Sequence, residues 1–220
     1  MEKFEKATGI AAPFPQTNID TDAIIPAAWQ RSLKHDPGEG LFGGWRYGLD
    51  GKENPEFILN REPFRRTQIV VAGANFGCGS SREFAVWALV RFGIKAILAP
   101  SFGDIFYENS FKNGLLLVTL PEDALERLHE HLRDASNPTL TVDLRRCVVE
   151  IPGAEPIPFE VPAARRTALL EGLDEIGQTL RHANAIDDFQ AAQKLAQPWV
   201  YARPQWTLPA GGAKEAVSAG

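Results

Sequence analysis

Between Ile69 and Leu120 the hydrophobic pattern changes period four times, and this restricts the fold more than any other feature of the chain. Ile69–Ala72, Ile94–Ala99 and Leu115–Leu120 are short apolar runs that read as buried strands. Between them, apolar residues recur at helical spacing over Ser81–Phe92 and Phe102–Lys112, the second stretch stopped by Asn113-Gly114. Strand, helix, strand, helix, strand in this order predicts a parallel α/β core. Pro121–Arg133 predicts one more helix, with Pro at its start and Ala124, Leu125, Leu128 and Leu132 on one face.

Upstream, Thr8–Pro15 reads as extended. Beyond Asn137-Pro138 the pattern turns to β over Thr139–Leu144, Cys147–Ile151 and Ile157–Val161. Helices are expected again near Ala163–Glu171 and Ala185–Gln197. Residues 204–220 are Ala- and Gly-rich with little to bury, and they are expected to form a disordered tail. The expectation is one α/β domain over residues 1–203, extended by C-terminal helices.

Chemistry concentrates where the first strand of the core meets its helix. Gly73-Ala74-Asn75-Phe76-Gly77-Cys78-Gly79-Ser80-Ser81-Arg82-Glu83 sets two hydroxyls and a guanidinium behind a glycine-rich turn. Free N–H groups and the positive end of the macrodipole favour an anion at such a point. Arg82 adds a planar fork suited to a carboxylate or phosphate. A purely structural role fits the same residues. Ser80 and Glu83 have capping-box spacing, the glycines suit a tight turn, and Arg82 can be a solvated first-turn residue. The turn matches neither a dinucleotide fingerprint nor a phosphate loop, so a nucleotide is not indicated.

The net charge of −5 and the lack of a basic run argue against a nucleic-acid partner. No apolar stretch reaches the roughly 20 residues that span a bilayer. Met1–Lys6 lacks the apolar core of a signal peptide, so a cytoplasmic location is expected. The two cysteines, Cys78 and Cys147, cannot provide the thiolates of an iron–sulfur cluster or a structural zinc site, and no metal site is expected in this chain. Cys78 could be a nucleophile activated by a helix N-terminus, or a small packing residue.

Asp20-Thr21-Asp22 precedes the apolar Ala23-Ile24-Ile25. In an extended segment both carboxylates would face one side, which suits acid–base work or a divalent cation. The plainer reading is an Asx-turn. His35, His129, His131 and His182 are scattered and read as solvated. Residues 35–63, rich in Gly, Pro and aromatics, suggest a long ordered loop, with Trp29, Gln30, Arg31 and Lys34 at its opening.

Together, Asn18-x-Asp20-Thr21-Asp22-x-Ile24-x-Pro26 and Gly77-x-Gly79-Ser80-Ser81-Arg82-Glu83 resemble the swivelling domain of the aconitase superfamily. The resemblance is greatest to the small subunits of bacterial 3-isopropylmalate dehydratases. It runs on through Trp45-Arg46-Tyr47, Asn54–Asn60, Ala99–Phe106 and Gly172–Leu180, over roughly residues 3 to 200.

That resemblance implies a three-layer swivelling β/β/α fold and a hydro-lyase of leucine biosynthesis, active only with a large subunit. It places a [4Fe-4S] cluster in that partner and none in this chain, with a small dicarboxylate as substrate. It assigns proton removal to Ser80 and substrate-carboxylate contacts to Ser81 and Arg82. Asp22, with Asp20 beside it, would orient a partner residue. Arg31 and Lys34 fall in the loop that reads the substrate's variable group. Ser81 or the backbone is then the expected helix cap, leaving Ser80 free. Relatives commonly carry histidine where this chain has Phe84, a side chain that offers no hydrogen bond. That departure keeps two alternatives in view: a paralogous hydro-lyase for 2-methylmalate/citraconate or a dimethylmalate, and a non-catalytic anion-binding or regulatory domain.

Overall fold

The computed structural model describes residues 1–30, 36–133 and 138–202. The chain divides into two compact units, Met1–Gln178 and the residues from Thr179 onward. Strand β1 (Lys6–Phe14) leads into two one-turn helices, α1 (Thr21–Ile24) and α2 (Ala27–Gln30). A third, α3 (Gly43–Arg46), interrupts the aromatic segment expected to be a loop. The core follows as β2 (Thr67–Ala72), α4 (Glu83–Phe92), β3 (Ala96–Ala99), α5 (Asp104–Lys112), β4 (Leu116–Thr119) and α6 (Glu122–Arg133). Then come β5 (Thr139–Asp143), β6 (Val148–Glu150), β7 (Ile157–Pro158) and helices α7 (Ala163–Glu171), α8 (Glu175–Leu180) and α9 (Ala183–Ala196).

Among the described residues seven strands join one mixed sheet in the order β4-β3-β2-β1-β5-β6-β7. The first four are parallel, and β5 to β7 continue antiparallel from β1. The parallel part arises because α4 and α5 carry the chain back after β2 and β3. Parallel strands covered on both faces have no solvated side, and β3 is buried at every residue. Antiparallel β5 instead alternates half-buried Thr139 and Thr141 with buried Leu140 and Val142.

Helix α4 buries Ala85, Val86, Ala88 and Leu89 and stops at Gly93, whose φ of 111° only glycine adopts without strain. Helix α6 buries Ala124, Leu125, Leu128 and Leu132, the face read from its sequence, and touches β1 and β2. Each such leucine contributes about 1.5–3 kcal/mol on full burial. The predicted elements are present with ends moved by at most three residues, and α1, α2, α3 and α8 are additions. The proposed tail lies outside the described residues.

The two helical histidines of α6 are less solvated than their sequence suggests. His131 Nε2 lies 3.3 Å from the Thr139 carbonyl. Burial, with the Arg133 charge adding to it, holds the His129 imidazole below its usual range. The folded state therefore binds that proton less readily than the unfolded chain. Stability is full above the ordinary value of 6.5 and is lost as pH falls through the depressed one. We expect the urea midpoint to fall between about pH 7 and about pH 5, with a shallower fall in His129→Gln.

Candidate active site at the carboxyl edge of the parallel strands

Phe14 of β1 lies opposite Ala72 of β2, and Leu98 of β3 opposite Val71, so these three strands end side by side. The segments that leave them carry almost every candidate residue. Ligands in open α/β sheets bind at this edge.

The segments interlock through the main chain. Gly77 N–H donates to the Ile19 carbonyl at 2.7 Å, and Thr21 N–H to the Cys78 carbonyl at 2.9 Å. Thr21 is 1% exposed, and its hydroxyl donates to the Ser80 carbonyl at 2.9 Å. Phe76 pairs with the third segment: its N–H donates to the Ser101 carbonyl, and its own carbonyl accepts from Gly103. This approach explains the glycines. Gly77 has a φ of 74°, and a Cβ there would enter the Phe106 ring. A Cβ on Gly103 would lie 2.6 Å from the Gly77 carbonyl oxygen.

The Asp20-Thr21-Asp22 run is not extended, so alternation does not place its two carboxylates. Asp20 is the N-cap of α1 and its Oδ1 accepts from Ala23 N–H at 2.7 Å. A cap saturates an otherwise orphaned donor, and a short polar side chain ahead of an apolar run is best used that way. Asp22 is instead ion-paired with Arg82 Nη1, its carboxylate about half exposed. Arg82, read from sequence as a free fork, already holds one carboxylate.

Nor does the Ser80/Glu83 capping box form. Arg82 occupies the N-cap position of α4 without a side-chain cap. Glu83 accepts from Asn113 Nδ2 at 2.8 Å, while Asn113 Oδ1 accepts from Trp87 Nε1 at 3.1 Å. The Glu83 carboxylate is thereby directed toward the end of α5 rather than back over the turn. Ser81 does not take up the cap either. Among the described residues both serine hydroxyls lack a hydrogen-bond partner, and so do the main-chain N–H groups of Gly79, Ser80 and Ser81. Both serines are exposed, just ahead of the first turn of a ten-residue helix. Free donors at the positive end of a macrodipole are what an oxyanion or carboxylate requires.

Phe84 is half-buried against the core, its ring 4.7 Å from that of Trp87. It is a packing residue. Cys78 is a free, partly buried thiol. Arg31, Lys34 and His35 lie outside the described residues, whereas Trp29 and Gln30 at the expected loop's opening belong to α2, the Gln30 amide donating to the Ile25 carbonyl at 2.9 Å. Among the described residues no group of three or more His, Cys, Asp or Glu could hold a metal ion. With two cysteines in the whole chain, its residues do not fit an iron–sulfur cluster. Sequence reasoning misses what Asn18, Asn75 and Ser101 do, which is to join the three segments.

The chain is similar to known proteins over most of its length. Residues 1–123 match the family model described as the aconitase C-terminal domain. Residues 175–203 match the model for the C-terminal domain of 3-isopropylmalate dehydratase small subunits. The 3-isopropylmalate dehydratase small subunit of Granulibacter bethesdensis is 53% identical over 211 residues, covering 96% of this chain and 100% of that protein. The protein of the same name from Gluconacetobacter diazotrophicus is 52% identical, covering 90% of this chain and 97% of its own length. A crystal structure of 3-isopropylmalate dehydratase from Methanocaldococcus jannaschii superposes with a TM-score of 0.59 at 27% identity, covering 84% of this chain and 99% of that one. The domain is thus of the aconitase C-terminal class, as its two motifs suggested. The chain belongs to the family of 3-isopropylmalate dehydratase small subunits.

The close approach at Gly77 gives a direct test. Gly77→Ala adds a Cβ at positive φ against an aromatic ring, and should cost about 2 kcal/mol or more. A urea midpoint equal to that of the parent chain would show that the interlock tolerates a side chain there.

Proposed function

We propose that this chain forms half of a heteromeric 3-isopropylmalate dehydratase, which interconverts 2-isopropylmalate and 3-isopropylmalate through isopropylmaleate. The observation that carries the reading is the set of exposed donors around Ser80 and Ser81 that have no partner within the chain, at the sheet edge of a member of this family. Donors left free in an exposed turn suit a surface completed by a second protein and an anionic ligand.

In this reading Ser80 removes the proton from the substrate carbon as the hydroxyl departs from its neighbour, and returns it during rehydration. Ser81 and Arg82 hold a substrate carboxylate, and Arg31 and Lys34 face the variable group. Asp22 and Asp20 support the partner-facing side. A [4Fe-4S] cluster held by the large partner supplies Lewis acidity at the departing hydroxyl, and this chain supplies no ligand to it. A serine base is demanding, because each unit of lowered pKa needs about 1.4 kcal/mol of preferential anion stabilisation. The N–H groups of Gly79 to Ser81, the α4 N-terminus and the Arg82 guanidinium are the groups available for it.

Reconstituted with a large subunit, the chain should isomerise isopropylmalate, and alone it should not. Ser80→Ala should lower kcat by at least about 100-fold with assembly intact. A near-normal rate would remove Ser80 from the role of base. Because Phe84 replaces the histidine common in relatives, 2-methylmalate should be assayed beside isopropylmalate. Faster turnover of the shorter diacid would overturn the substrate assignment.

A further inference from the structure

Two asparagines at the ends of neighbouring parallel strands share an unusual feature. Asn18, beyond β1, has a φ of 57°, and Asn75, beyond β2, a φ of 59°. Positive φ costs a non-glycine residue roughly 1–2 kcal/mol, and Asn tolerates it better than most. Here the two left-handed residues face each other. Asn75 Nδ2 donates to Asn18 Oδ1 at 2.8 Å, and Asn18 N–H to the Ala74 carbonyl at 2.9 Å. Asn75 N–H also donates to Ser101 Oγ at 2.9 Å, beyond β3. One pair of side chains thus links the segment carrying Asp20 and Asp22 to the segment carrying Ser80 and Arg82, with the third segment tied in.

Stability does not account for this arrangement. Both side chains are exposed, where a neutral hydrogen bond contributes little. Glycine would satisfy both backbones without strain. Strain kept in two adjacent turns at a functional edge points to a fixed geometry that the chemistry needs. We infer that Asn18 and Asn75 form a clasp of positioning residues, which fixes the distance between the Asp22 segment and the Ser80 turn during catalysis. The inference rests on the proposed roles of Ser80 and Arg82.

The chemistry of the amide permits an isosteric test. In Asn18→Asp the carboxylate still accepts from Asn75. In Asn75→Asp the Asn18 amide rotates and donates instead. With both changed, two carboxylates face each other and no donor remains. All four small subunits are assembled with the large subunit, and the wild-type complex is assayed first. If it does not turn over isopropylmalate, the functional reading fails, and the cycle is run on whichever diacid that complex does convert.

The single variants should keep kcat within about threefold, while the double variant should fall at least about tenfold below the product of their effects. KM and the urea midpoint should stay multiplicative or additive, respectively. A double variant whose kcat equals that product overturns the inference. So does coupling seen in the urea midpoint or in assembly while kcat remains multiplicative, since the clasp would then be only structural.

Discussion

Everything at the carboxyl edge depends on how closely two backbones approach between Ile19 and Gly77. A 2.7 Å hydrogen bond joins them, and the Phe106 ring closes the space a side chain at Gly77 would need. From that contact the geometry propagates in both directions. Thr21 is drawn onto the Cys78 and Ser80 carbonyls, so the Ser80 main chain is committed through its oxygen and left open at its nitrogen. The turn can then present free N–H groups and hydroxyls outward while the rest of its backbone is fixed.

The same economy appears in the charges. Asp20 is consumed as a helix cap, and Asp22 holds Arg82, so of the three charged groups none is left unpartnered in the chain by itself. The ion pair lies at the surface, where such pairs contribute on the order of 0–1 kcal/mol. A contact that weak can be exchanged for a substrate carboxylate without unfolding anything. The buried Thr21 bond is of a different kind, because removing one partner would strand a polar group away from water.

Much of this was legible in the sequence, and what was missed shares one cause. Period reading found the strands and helices of the core because β3 and α4 are buried in patterns that only those elements produce. The two motifs pointed to Ser80 and Arg82, and the family was legible in the same residues. What failed were inferences about local partners. A Ser-x-x-Glu spacing suggests a capping box, but Asn113, thirty residues later, takes the Glu83 carboxylate. Two acids around a threonine suggest a carboxylate pair, but a one-turn helix intervenes. Asn18 and Asn75 escaped notice because φ is a property of the fold, and the only sequence hint was the tolerance of asparagine for positive values. For Glu83 and for the asparagine pair a long-range contact decided between two locally reasonable geometries, while Asp20 was settled by a cap three residues away.

The place of β1 in the sheet has a consequence for how the chain comes together. It is made before both its neighbours, which begin at Thr67 and Thr139. Its parallel partner lies across the long aromatic segment, and its antiparallel partner beyond the whole α/β core. Closing such loops costs chain entropy before any pairing rewards it, which slows folding. On a ribosome β1 waits unpaired until β2 has emerged, and its other edge stays open until β5 follows. Because β1 also leads into the Asp20–Asp22 segment, the site cannot form before β1 and β2 pair. A chain cut short before β5 would leave one edge of its central strand open to the wrong partner.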